Sequence, residues 1–104
     1  MIGDCSSDPV ALDPDKFDVR LENERVRVLE VRIAPGQGHG MHWHPAHLIY
    51  TLSPYDVQDR FPDGSTKTIK RDAGELIWGD SLSHATENIG ETAVHALIIE
   101  LKTQ

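Results

Sequence analysis

Residues 39–47 read HGMHWHPAH, and these nine positions hold four of the chain's six histidines. His42 and His44 are separated by Trp43 alone. Residues two apart on an extended strand project to one side, so His42 and His44 offer two imidazoles to one point while Trp43 faces away. Two ligands hold a divalent ion poorly, so a third has to arrive from elsewhere. His84, in GDSLSHATEN (79–88), stands at the edge of another predicted strand and is the candidate. Alone, an HxH pair is a weak signal, because histidine-bearing chains show one by chance.

On either side of this segment, short strand patterns alternate with turn signals from Phe17 on: Asn23-Glu24, Pro35-Gly36, Pro62-Asp63-Gly64, Ala73-Gly74 and Asn88 to Gly90. No helix of two or more turns is predicted. Gln58 to Lys70, centred on Pro62-Asp63-Gly64, reads as an antiparallel hairpin with its glycine at a positive φ. Residues 25–33, RVRVLEVRI, alternate with a change of apolar parity between Val28 and Leu29, which predicts a bulge or bend inside that strand. In residues 93–101, AVHALIIEL, His95, Leu97, Ile99 and Leu101 share one face, and Val94, Ala96, Ile98 and Glu100 share the other. Eight or nine strands without helices for parallel crossovers imply an all-β, antiparallel sandwich or barrel of the jelly-roll kind.

At 104 residues the chain fits one domain with one core. We expect a domain over 17–104 preceded by an N-terminal arm over 1–16, flexible or docked on a partner. No apolar run approaches the roughly 18 residues of a membrane span, and the first residues lack a secretory pattern. A cytoplasmic protein is expected. Cys5 has no second cysteine to pair with. The formal charge of -7, with basic residues scattered among acids, argues against nucleic acid as a partner.

The histidine segment and the GDSLSHATEN segment together resemble the two motifs of the cupins, small β-barrels. Gly36, five residues, then His42-Trp43-His44 match the opening of the first motif; Gly74, His84 and Asn88 match the second. The resemblance covers about residues 17 to 102 and implies a jelly-roll (cupin) barrel with a metal at His42, His44 and His84. The departures bear on function. Asp80 stands about where the family has proline, Ser81 or Leu82 where it has glycine, Pro54 where the first motif ends in glycine, and the Gly74 to His84 gap is one residue short. The acid of the first motif is absent, since the third to fifth residues after His44 are His47, Leu48 and Ile49. Aligning Tyr50-Thr51-Leu52 on the family's next strand puts His47 in the acid's place. Pro45, which bends the chain, frees His47 from the parity of the HxH pair.

An all-imidazole set leaves the charge of a divalent ion uncompensated, which favours an anionic substrate or hydroxide and suits Fe, Cu, Ni or Zn over Mg or Ca. His47 is either a fourth ligand, a residue behind the ligands or a solvent-exposed one. His39, among Gly36, Gly38 and Gly40, reads as an exposed loop residue. Tyr50 and His95 are candidates for a substrate pocket, His95 if its apolar face is the lumen; Tyr55 offers another phenol. Asn88 is expected to complete a turn, and Glu75, Asp80, Glu87 and Glu100 are assigned to solvation or turns. Three functions stay open: a mononuclear metalloenzyme of dioxygenase type acting on a small organic substrate, a small-ligand or metal-binding module without turnover, and a metal-independent isomerase. The resemblance also implies pairing into a homodimer through sheet edges.

Overall fold

The protein, a computed structural model, is described over residues 8–102. One helical turn, α1 (Pro9–Leu12), precedes nine strands: β1 (Phe17–Glu22), β2 (Val26–Ile33), β3 (Gly38–His44), β4 (His47–Thr51), β5 (Tyr55–Arg60), β6 (Thr66–Arg71), β7 (Leu76–Gly79), β8 (Leu82–Asn88) and β9 (Val94–Leu101). They form two antiparallel sheets, ordered β1-β2-β9-β4-β7 and β3-β8-β5-β6. The sheets face each other as a jelly roll and do not close into one hydrogen-bonded barrel. No helix among the described residues is long and apolar enough to cross a membrane.

Cross-strand pairs explain the core. Val31 lies opposite Ala96, Leu29 opposite Ile98 and Ile33 opposite Val94, all buried, so two alternating strands present one continuous aliphatic wall. Phe17, opposite Val31, closes one side, and Val57 enters from the second sheet. The outward residues of β2 include Glu30 and Arg32, whose partners are Leu97 and His95. The lumen face of β9 is therefore Val94, Ala96, Ile98 and Glu100. His95 is on the outside, where its Nε2 lies 2.5 Å from Glu30 Oε2. The charged alternation of β2 imposes this choice on β9, whose own two faces are both apolar.

The bulge expected inside β2 is absent from its pairing with β9, which runs in unbroken register from Val26 to Ile33. The extra residue is Arg20 in β1: Val19 pairs with Leu29 and Leu21 with Val28. The parity change between Val28 and Leu29 is thus accommodated by the neighbouring strand. The hairpin turns on Gly64 at φ 87°, with Asp63 Oδ1 accepting from Ser65 N. Residues 1–7 of the expected arm, Cys5 included, lie outside the described residues. Beyond them Asp8 caps α1, Pro9 is buried and Val10 packs on the core.

Candidate functional site

Three ring systems meet at the polar end of the lumen. His42 and His84 are direct partners across the β3–β8 ladder, and His44 follows two residues on. A nitrogen from each lies within 4.8 Å of the others. His42 and His44 are buried, and their Nε2 atoms are 2.9 Å apart.

The second nitrogen of each ring is engaged. His42 Nδ1 donates to the Gly40 carbonyl (2.8 Å), His44 Nδ1 to Glu100 Oε2 (2.6 Å) and His84 Nδ1 to Asp59 Oδ2 (3.1 Å). Carbonyl and carboxylate oxygens accept, so each Nδ1 carries the proton. Burial, then the neighbouring His39, holds His42 down to about 2, and burial likewise holds His44 below its ordinary value, so both are neutral near pH 7. Their Nε2 lone pairs therefore face each other at 2.9 Å with no proton between them. A cation relieves that repulsion. Two imidazole nitrogens at right angles around an ion, each at ~2.1 Å, would stand ~3 Å apart, so the spacing fits a transition metal.

The two carboxylates are themselves held. Burial alone would raise the Asp59 carboxyl, but hydrogen bonds from His84 and from Thr86 Oγ1 (2.6 Å) outweigh it and leave it below the usual range. Glu100 accepts from Arg27 Nε at 2.9 Å, and the Arg27 guanidinium forks onto both oxygens of Asp8 (2.9 and 3.1 Å). A chain His44–Glu100–Arg27–Asp8, buried at its inner end and reaching the surface at Asp8, thus runs from the trio to the start of α1. Such partners fix the tautomer and plane of a ligating histidine. They also correct the expected charge balance: Asp59 and Glu100 set two negative charges beside the three imidazoles.

His39 is not an exposed loop residue. β3 carries a bulge between His39 and His42, since His39 pairs with Thr86 and His42 with His84. The extra residue resets the parity, so His39 turns inward and its ring centroid lies 4.2 Å from that of His42. Its Nδ1 is the buried side-chain nitrogen among the described residues that lacks a hydrogen-bond partner. Burial, then His84, pushes its pKa down to about 4.

Beside the trio lies a cavity of about 100 Å³, walled mainly by Val31, Ile33, Val57, Ala96 and Ile98, with Tyr55 and Arg71 also on its lining.

No family model and no curated protein matches the sequence. Solved structures do. A cupin domain from Bordetella pertussis Tohama I superposes with a TM-score of 0.77 at 26% identity, over 84% of this chain and 92% of that one. A cupin superfamily protein from Desulfitobacterium hafniense gives 0.63 at 16% identity, over 84% and 76%. The chain belongs to the cupin superfamily. A third neighbour, the Bacillus subtilis oxalate decarboxylase with Mn(II) centres, gives 0.58 at 25% identity, over 78% of this chain and 22% of that one.

The motif positions of this cupin have visible roles. Gly36 and Gly74 both sit at positive φ, 80° and 83°, in the turns before β3 and β7. Asn88 is fully buried and structural: Nδ2 donates to the carbonyls of Ile33 and Thr92, and Oδ1 accepts from Gly90 N.

His47, at the start of β4, is buried and lines the cavity, and its Nδ1 is 2.7 Å from the Pro45 carbonyl. It stands outside the convergent trio, 5.3 Å from His44 between ring centroids. Its Nε2 is packed against Gly79, where a Cβ would overlap the ring. Two substrate-pocket candidates lie elsewhere. Tyr50 is on the exposed outer face of β4, opposite Leu76 of β7, and His95 faces outward to Glu30. Tyr55 does line the cavity, and burial raises its pKa. Glu100, expected in solvation or a turn, is instead buried against His44, and Asp59 holds His84. The signal lay in strand register: Glu100 shares the face of Val94, Ala96 and Ile98, and Asp59 the face of Val57.

Proposed function

We propose that this cupin is a mononuclear metalloenzyme of dioxygenase or oxidoreductase type, with His42, His44 and His84 binding one divalent transition metal through Nε2. The observation that carries this is the engagement of all three Nδ1 atoms by acceptors, which leaves the second nitrogen of each converging ring free of a hydrogen-bonded carboxylate or carbonyl. Imidazole ligands suit Fe, Cu, Ni or Zn, and the manganese of the oxalate decarboxylase adds a further candidate. When bound, the ion would supply Lewis acidity and open coordination positions. The chain's own residues orient the rings through Glu100 and Asp59 and keep bulk water out with the aliphatic wall. Elemental analysis after chelator-free purification should find one transition-metal ion per chain, lost in His84→Ala; protein free of metal under those conditions would overturn the reading.

The size of the cavity favours a second reading. At about 100 Å³ it falls below the ~300 Å³ where drug-sized ligand pockets begin, as suits a module that holds a metal or small ligand without turnover. Steady oxygen consumption with a small organic acid would exclude this reading as the sole role.

We also assign a homodimer. The outer face of β4 and the edge strand β7 exposes Leu76 (67%), Trp78 (56%) and Tyr50 (39%) as one apolar patch. A monomeric mass in solution scattering would contradict it. The acidic chain with its single cysteine is assigned to the cytoplasm.

A further inference from the structure

The two ends of the cavity differ in chemistry. On β5 the inward residues are Asp59, Val57 and Tyr55, and Asp59 marks the histidine end because it holds His84. Four residues along, roughly 14 Å away by strand geometry, Tyr55 marks the other end. Arg71 sits directly across the β5–β6 ladder from it. Between them the lining is aliphatic, with Val57 paired to Ile69. Arg71 is the only lysine or arginine among the described residues on the cavity lining. Its one ion pair among the described residues is long, 3.5 Å to Glu75, with both side chains about one-third exposed. Tyr55 and Arg71 also line an outer cleft with Pro54 and Asp72, so they stand where the cavity meets the surface.

We propose that the cavity binds a short straight-chain carboxylate, held by its head at Arg71 and Tyr55 with its tail lying along the aliphatic lining toward the histidine end. The inference deepens the small-ligand reading of this cupin and stands apart from the metal reading of the trio. A carboxylate at the rim keeps part of its hydration while Arg71 supplies charge-assisted hydrogen bonds. The histidine end asks for no second anion, because Asp59 and Glu100 already stand behind two of its rings. Size limits the tail. A cavity of ~150 Å³ takes benzene, so about 100 Å³ takes roughly four non-hydrogen atoms in a line and excludes a ring.

The test is an NMR-detected titration of the full chain, metal-free and zinc-loaded, with butyrate, its neutral isostere butyramide, and benzoate. Butyrate should bind at least about tenfold tighter than butyramide, and benzoate should not enter. Arg71→Met should erase the preference for the anion, Arg71→Lys should retain part of it, and Glu75→Gln, which frees Arg71, should tighten butyrate binding. Equal affinity for butyrate and butyramide, or no effect of Arg71→Met in a variant that melts like wild type, overturns the proposal. Butyrate that binds only the zinc-loaded protein and ignores Arg71 also overturns it, and leaves the metal reading standing. Arg71-dependent binding to a wild-type chain that takes up no zinc would support the carboxylate site and sink the metal reading.

Discussion

Glu100→Gln is the substitution that bears most on the tautomer argument. The carboxylate accepts two hydrogen bonds, from His44 Nδ1 at 2.6 Å and from Arg27 Nε at 2.9 Å, one on each oxygen. A glutamine has one accepting oxygen and one donating nitrogen, so it cannot serve both. With its oxygen kept on the charged Arg27, its amide points at His44 Nδ1, which must then give up its proton and accept. The His44 proton moves to Nε2, where His42 Nε2 at 2.9 Å accepts it. The metal-free protein thereby satisfies itself, but the nitrogen required for ligation is capped. Loss of such a partner behind a metal ligand costs about 10- to 100-fold in affinity, or about 1.4–2.7 kcal/mol. Competition of zinc against a chromophoric chelator measures it, with His84→Ala as the reference for a lost ligand. Unchanged zinc affinity in Glu100→Gln would refute the account of Nε2 as the ligating atom.

Three other expectations follow from the packing and the titrating groups. Leu29, fully buried between Val19 and Ile98, should cost about 2–5 kcal/mol on truncation to alanine, read as a lower urea midpoint. Gly79→Ala places a Cβ on the His47 ring, whose Nδ1 is tied to the Pro45 carbonyl, so it should destabilise by about 1–3 kcal/mol; a Gly79→Ala/His47→Ala double variant should show strong coupling, and additive effects would count against the contact. In the metal-free protein His42 and His39 are held near 2 and 4, below the ~6.5 of an unfolded histidine. The unfolded chain therefore takes up protons first as pH falls, so the contribution of these two is full above ~6.5 and drops with a slope approaching about 2.7 kcal/mol per pH unit between ~6 and ~4, and His44, also held low by burial, steepens it. A urea midpoint that stays level from pH 7 to pH 5 would contradict that burial.

Much of the architecture was legible because turn chemistry and alternation agree. Asn23 turns the chain by accepting from Arg25 N and Val26 N, Gly64 takes a positive φ, and His42 and His44 face one way as their spacing requires. The site was legible where it obeyed strand parity and hidden where parity was reset. His39 is three residues from His42, which on a regular strand puts it on the opposite face; the bulge between them reverses that, and nothing in HGMHW announces the bulge. Glu100 was hidden for another reason. Both faces of β9 are apolar, so hydrophobicity does not choose between them. The choice comes from β2, where Leu29, Val31 and Ile33 alternate with Glu30 and Arg32 and pair across to fix which face is inside. Carboxylates from β5 and β9 stand behind the His84 and His44 rings, on their Nδ1 atoms.

The most direct measurement is a crystal structure of zinc- or cobalt-soaked protein with anomalous data at the metal edge. One anomalous peak should lie within bonding distance of Nε2 of His42, His44 and His84, with Glu100 and Asp59 still on the Nδ1 atoms of His44 and His84 and His47 still against Gly79. A peak bound through Nδ1, a peak elsewhere in the molecule, or none at the trio would contradict it.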